Sequence, residues 1–207
     1  MTRTLLVTGF GPFPRVPVNP SAELAARIAG DPRLRRLLGK PPRLLILRTA
    51  YEAIPAMLEP ALSQHPDAVL MIGVAGRARR VRVETRALNR ASRLFPDASG
   101  RVAGRLALDR DGPAIRRSAP AARVLVALRR RGLAAKSSRD AGRYLCNASY
   151  FRALAESCPV VFLHIPPLPR VGRRTTLDLW TQAGVEAALA LCHGTGTSSV
   201  RRSTDSR

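Results

Sequence analysis

Four short, largely apolar runs punctuate the chain: Thr4 to Thr8, Leu44 to Leu47, Ala68 to Ile72 and Val160 to Ile165. Runs of this length with no polar alternation predict strands buried on both faces, as in a parallel sheet covered by helices above and below. The segments between them carry helical signals. Asn19-Pro20-Ser21 supplies an N-cap with proline in the first turn, and Leu24, Ala25 and Ile28 mark an apolar face behind it. Ala121 to Arg131 repeats that pattern with Val124, Leu125 and Leu128, and Gly132 stops it. Leu177 to Cys192 is the last predicted helix. Val81 to Asn89 is different. Arg80, Arg82, Glu84 and Arg86 alternate with Val81 and Val83, which predicts a half-exposed strand. Residues 90 to 118, rich in Arg, Gly, Asp and Pro, read as a long loop, a feature that in compact domains usually serves function.

Strands alternating with helices predict an α/β domain with a mostly parallel sheet, and such domains keep their chemistry at the carboxyl ends of strands. The 207 residues suit one domain, large enough to bury roughly 70% of its unfolded surface without staples. We place that domain at residues 1–193. The Gly, Ser, Thr and Arg composition of residues 194–207 predicts a disordered tail. No stretch reaches the ~20 apolar residues of a membrane span, and the first apolar run is broken at once by Gly9. The expectation is a cytoplasmic protein with no membrane partner.

Charge changes the picture less than its size suggests. The formal net charge is +21, carried almost wholly by arginine, with Lys40 and Lys136 the two lysines. Such a balance can mark a nucleic-acid footprint. Here the arginines are spread along the chain, and aromatic residues for base stacking make up only 4%. Compositional bias therefore accounts for the charge better than a nucleic-acid partner, and a basic binding protein on a weakened catalytic fold remains the distant alternative.

Three cysteines, Cys146, Cys158 and Cys192, form no C-x-x-C pair, which argues against a disulfide framework and for a reducing compartment. His65, His164 and His193 have none of the tight spacings of a structural metal site, so neither metal nor other cofactor is expected. Cys146 follows a glycine-containing polar stretch and precedes a predicted helix, Ala148 to Ala155. A helix N-terminus favours a thiolate, although a small packing cysteine would fit there too. His164 ends an apolar strand ahead of Pro166, where α/β enzymes hold catalytic side chains and where a structural histidine would also sit. A Cys and a His at adjacent strand-to-helix junctions could meet as nucleophile and base. Gly9-Phe10-Gly11-Pro12-Phe13 lacks phosphate-loop spacing. Its two phenylalanines in a tight turn suit either a rigid wall for a small flat group or a pair of core aromatics.

Four blocks together resemble the pyroglutamyl peptidase I family of cysteine peptidases over about residues 4 to 192. They are Thr8-Gly-Phe-Gly-Pro-Phe13 with Asn19-Pro-Ser21; Gly73-Val-Ala-Gly76 leading to Glu84 and Ala87-Leu-Asn89; Ser138 with Ala141-Gly142-x-Tyr144-Leu-Cys146-Asn147; and Phe162-Leu-His164-Ile-Pro166. The resemblance implies a single-domain three-layer α/β/α sandwich, a homo-oligomer of tetrameric form, and peptides with an N-terminal pyroglutamate as substrates. It also implies roles: Cys146 as nucleophile, His164 as base and acid, and Glu84 orienting the imidazole. Phe10, Phe13 and Tyr144 would line the lactam pocket, with Asn19 and the backbone at Val74 near its polar edge. The family's arginine ahead of the Pro96-Asp97 pair, implicated in oxyanion support, is represented by Arg93, one position early, with Leu94 in its place. A related Cys-His hydrolase of another small amide is the nearest alternative reading.

Overall fold

The computed structural model describes residues 2–13 and 17–193. Six strands form one sheet: β1 (Leu5–Phe10), β2 (Arg43–Leu47), β3 (Ala68–Val74), β4 (Val81–Glu84), β7 (Ala135–Ser138) and β8 (Val160–Ile165). Their order is β2-β1-β3-β8-β4-β7. All neighbours run parallel except β4 and β8, which are antiparallel. A separate antiparallel pair joins β5 (Arg86–Leu88) to β6 (Ile115–Arg117).

Period-two alternation along the central strands feeds two cores at once, as a sheet covered on both faces requires. Leu5, Val7, Leu70, Ile72, Val161 and Leu163 enter one core with α1 (Pro20–Ala29), α2 (Pro32–Leu38), α4 (Ala121–Arg130) and α6 (Arg173–His193). Leu6, Phe10, Val69, Met71, Val160 and Phe162 enter the other with α3 (Glu59–Leu62) and α5 (Leu145–Ala153). The result is a three-layer α/β/α sandwich in a single domain. Residues 194–207, expected to form a tail, lie outside the described residues, and no described helix is long and apolar enough to cross a membrane.

The local signals act as expected at most ends. Asn19 caps α1, its side-chain oxygen accepting from the Ser21 N–H at 3.1 Å, with Pro20 in the first turn. Gly132 follows α4 with φ of 74°, a backbone state that glycine adopts without strain. Helix α2 was not foreseen, although Asp31 caps it, Pro32 starts it and Gly39 at φ 73° ends it. Nor was the π-helical turn Ile54–Leu58 that runs into α3, or β7, a polar edge strand with sequence Ala-Lys-Ser-Ser.

Val81 to Asn89 departs from expectation. It is broken at Thr85 into β4 and β5, and β4 lies inside the sheet between β8 and β7. Its polar face is covered by α5, so Glu84 is wholly buried rather than half-exposed. The long loop is real: residues 89–114 form no helix or ladder strand before β6 begins.

Close approach of β1 to α1 depends on Gly9, where a Cβ would stand 2.6 Å from the Ser21 carbonyl oxygen and 3.0 Å from the Ala22 Cα. Both neighbours are backbone and cannot yield independently. Gly9→Ala is expected to destabilise the fold by ~1–3 kcal/mol, measured by denaturant unfolding.

Candidate active site

The carboxyl ends of β3 and β8 and the amino end of α5 converge. Register pairs Gly73 of β3 with His164 of β8, and β8 in turn pairs Phe162 with Glu84 of β4. Directly paired residues of an antiparallel ladder project to the same face. His164 and Glu84 therefore rise together on the side covered by α5. Their side chains meet: His164 Nδ1 lies 2.9 Å from Glu84 Oε1 with both groups buried. Glu84 makes this contact rather than pairing with Arg80, Arg82 or Arg86, its neighbours in the strand's polar pattern. An Nδ1–H donated to the carboxylate leaves Nε2 to face Cys146.

Cys146 is the second residue of α5, which starts earlier than the predicted Ala148. Cysteine and histidine do not sit at adjacent junctions of the sheet, because β4 separates β7 from β8. The segment 139–144 instead carries the chain back across β4 and lowers α5 onto β3 and β8. Gly73 makes room for it: a Cβ there would lie 2.9 Å from Cys146 Sγ and 2.8 Å from Phe162 Cζ. The thiol thus rests on the strand position paired with His164.

Electrostatics follow from this packing. Burial, the largest influence on His164, lowers its pKa, but the Cys146 side chain and then Glu84 raise it further, to about 9. The imidazole is held as imidazolium near neutral pH, poised between a sulfur and a carboxylate. No side-chain acceptor caps the start of α5, so its first N–H groups point free of intrahelical partners toward the thiol's surroundings.

Three further contacts fix the assembly. Tyr150, fully buried one turn beyond Cys146, donates to the Glu84 carbonyl oxygen at 2.8 Å and packs its ring on Phe162 at 5.5 Å. The Phe162 ring in turn lies 4.7 Å from the His164 ring. Asn147 accepts from the Leu88 N–H and donates to the Leu88 and Arg90 carbonyl oxygens, tying α5 to β5. Asn147 carried no distinguishing sequence signal beyond its place in the cysteine block, and Tyr150, outside that block, carried none.

Beside the thiol is a mainly apolar cavity of about 110 Å³, lined by Phe10, Phe13, Asn19, Thr49, Val74, Tyr144, Leu145 and Cys146. All five pocket residues singled out from sequence are brought together here. Thr49 and Leu145 were not foreseen. Asn19 is engaged within the fold, its amide donating to Gly11 O at 3.0 Å and its oxygen accepting from Ser21. Thr49 donates to the same Gly11 oxygen at 3.0 Å. Tyr144 donates to Pro96 O at 3.0 Å and meets Tyr51 edge-on at 5.8 Å. Burial and then Asp97 push its phenol up to about 12, so it stays neutral. Asp97 accepts from the Tyr51, Ser99 and Arg101 N–H groups, which anchors the long loop against the cavity wall. Arg93 is exposed on that loop and lines no part of the cavity.

The family model for pyroglutamyl peptidase matches residues 3–186. The chain belongs to the pyroglutamyl peptidase family. Pyrrolidone-carboxylate peptidase of Gloeobacter violaceus is 34% identical over 197 residues, covering 89% of this chain and 94% of that protein. The Bacillus subtilis pyrrolidone-carboxylate peptidase is 29% identical over 178 residues, covering 82% and 81%. Among solved structures, pyroglutamyl peptidase I from Bacillus amyloliquefaciens superposes with a TM-score of 0.79 at 26% identity, covering 93% of this chain and 96% of that one. Pyrrolidone carboxyl peptidase from Thermus thermophilus gives 0.78 at 32% identity, covering 90% and 99%. The pyroglutamyl peptidase fold is therefore present nearly end to end.

Gly73→Ala is expected to push the Cys146 sulfur off its seat while the sheet survives. The far-UV spectrum should stay native as hydrolysis of a pyroglutamyl amide falls by about a hundredfold, the scale of a ~1 Å misplacement of a reacting group. Unchanged turnover would show that the thiol does not depend on this contact.

Proposed function

We propose that this protein is a cysteine omega-peptidase that cleaves the amide bond after an N-terminal pyroglutamyl residue. The observation that carries the reading is the Cys146, His164 and Glu84 cluster at the edge of a small, mainly apolar cavity. Pyroglutamate is a neutral five-membered lactam without an ammonium group. A pocket of aromatic and aliphatic faces, with no Asp, Glu, Lys or Arg in its lining, suits that ring and offers no carboxylate to a charged N-terminus. In this reading the polar groups of the lining, Thr49, Asn19 and the backbone at Val74, serve the lactam's polar edge, and a site that pairs those groups rejects analogues that cannot satisfy it.

In this mechanism the Cys146 thiolate attacks the carbonyl carbon joining pyroglutamate to the next residue. The carbonyl oxygen takes the charge and is held by the Cys146 N–H at the start of α5. His164 gives its proton to the leaving nitrogen, the C–N bond breaks, and the shortened peptide departs with a free amine. The pyroglutamyl thioester remains. His164, now neutral, takes a proton from water as its oxygen attacks the thioester, and collapse releases pyroglutamate and the thiolate. Glu84 keeps the imidazole in register and stabilises its charged form. Arg93, being exposed and outside the cavity lining, is assigned no direct contact with the oxyanion. A cytoplasmic setting fits a nucleophile that must stay reduced, and self-assembly into a homo-oligomer belongs to the same proposal.

Cys146→Ser and His164→Ala should each lower kcat/KM on a fluorogenic pyroglutamyl amide by about a thousandfold or more, and iodoacetamide should abolish wild-type turnover. Near-native rates in either variant would refute the assignment. Because the folded pKa of His164 lies above its ordinary value of 6.5, the stability it contributes is complete below about 6.5 and is lost as pH rises through about 9. The proton needed by the leaving amine is lost in the same window. The kcat/KM profile should therefore fall on an alkaline limb near pH 9, and a profile flat to pH 10 would contradict the proposed role of the imidazolium.

A further inference from the structure

The catalytic face carries one charged group that this mechanism does not use. Arg82 is the direct register partner of His164 across the antiparallel β4–β8 ladder. Paired side chains there share a face, with β-carbons about 5 Å apart, so Arg82 rises beside the imidazole on the face that also bears Glu84. It is only half-buried, yet its Nε is shut off from solvent and has no hydrogen-bond partner among the described residues. Its guanidinium forms no salt bridge there either, whereas Arg27, Arg33, Arg101, Arg116, Arg131 and Arg152 all find carboxylates. A guanidinium N–H withdrawn from water with no acceptor is costly, and the solvent-facing remainder of this half-buried fork has no protein acceptor among the described residues either. The turn leading into β4 adds Arg77, Arg79 and Arg80, all exposed and none in a salt bridge among the described residues. Arg82 does not line the cavity, so the positive group stands outside the lactam site and next to the base.

We infer that Arg82 receives a carboxylate on the leaving side of the scissile bond, making the enzyme selective for peptides with an acidic residue, or a free C-terminus, directly after pyroglutamate. The inference rests on the peptidase reading above. The substrate's ring is neutral and its N-terminus blocked, so before cleavage every carboxylate it can offer belongs to the leaving peptide. Arginine's planar fork matches a carboxylate with two parallel hydrogen bonds, a geometry that the compact ammonium of lysine cannot reproduce. Arg77, Arg79 and Arg80 would extend the positive field outward and favour encounter with acidic peptides at low salt. The product pyroglutamate also carries a carboxylate, and the experiment has to separate that source from the leaving peptide.

The test compares kcat/KM for pyroglutamyl-glutamate, pyroglutamyl-alaninamide and pyroglutamyl-lysinamide in the wild type, Arg82→Gln and Arg82→Lys, with inhibition by free pyroglutamate measured in parallel. In the wild type at low ionic strength the acidic substrate should lead the neutral one by about tenfold, mostly through KM. That ratio should shrink in high salt. Arg82→Gln should bring the acidic-to-neutral ratio close to one, and Arg82→Lys should restore part of it. A merely structural arginine would lower all three substrates together and leave the ratio alone, which overturns the inference. So would a wild type with no acidic preference, or an Arg82→Gln variant that weakens only pyroglutamate inhibition. If the wild type cleaves none of the pyroglutamyl compounds, the peptidase reading itself fails and takes this inference with it.

Discussion

An ionisable pair buried between antiparallel strands sets the terms for the rest of the structure. His164 and Glu84 are almost withdrawn from solvent, and a lone charge at either position would be costly to bury. The pair is tolerable because register fixes both side chains on one face and the hydrogen bond between them is short. The third member of the cluster is brought in from outside the sheet. Helix α5 carries Cys146 onto Gly73, and the missing β-carbon at that position decides how near the sulfur comes to the imidazole. Tyr150 and Asn147 then pin the same helix to the backbone at Glu84 and Leu88. The separation of the Cys146 sulfur from the His164 imidazole is thereby a property of helix-on-sheet packing and not of a flexible loop.

The recognition cavity hangs from the same frame. Phe10 and Val74 are the last residues of β1 and β3, and Leu145 and Cys146 open α5. Phe13, Asn19, Thr49 and Tyr144 come from irregular chain and have to be held in other ways. Tyr144 is held by the Pro96 carbonyl, and the neighbouring Asp97 collects three backbone N–H groups from Tyr51, Ser99 and Arg101. Fully ionised, Asp97 can accept from all of them, and these backbone contacts offset the penalty of burial and leave its carboxyl below the usual range. A long polar loop is in this way turned into a fixed surface.

Much of this was legible in the sequence because burial on two faces leaves a simple mark. β1, β2, β3 and β8 are apolar runs, and α1, α4 and α6 carry apolar stripes with recognisable ends. What escaped did so for physical reasons. The edge strand β7 needs little apolar content, since it packs on only one side. Helix α2 is seven residues long, too short for periodicity to speak, and its Asp-Pro start and glycine stop were the available clues. Glu84 read as a surface residue because period two places it with Arg82 and Arg86, and nothing local tells that α5 will cover that face. The site residues were recognisable as blocks of family-like sequence, but their meeting was not. Glu84 and His164 are 80 positions apart, and the antiparallel insertion of β4 has no signature in either segment.

That insertion has a consequence for how the protein is made. β3 and β4 follow one another along the chain, yet β8 lies between them in the sheet. A ribosome delivers β3 and β4 long before β8 exists. Until residue 165 has emerged, β3 has an unfilled edge and β4 can pair only with β7, apart from the rest of the sheet, which leaves apolar strand edges open to pairing with other nascent chains. Sheet closure and formation of the His164–Glu84 contact are then one late event, governed by long-range pairing that is intrinsically slow. A chain released before that event would lack both the finished sheet and the site, so the appearance of activity during synthesis would mark the moment the last central strand slides home.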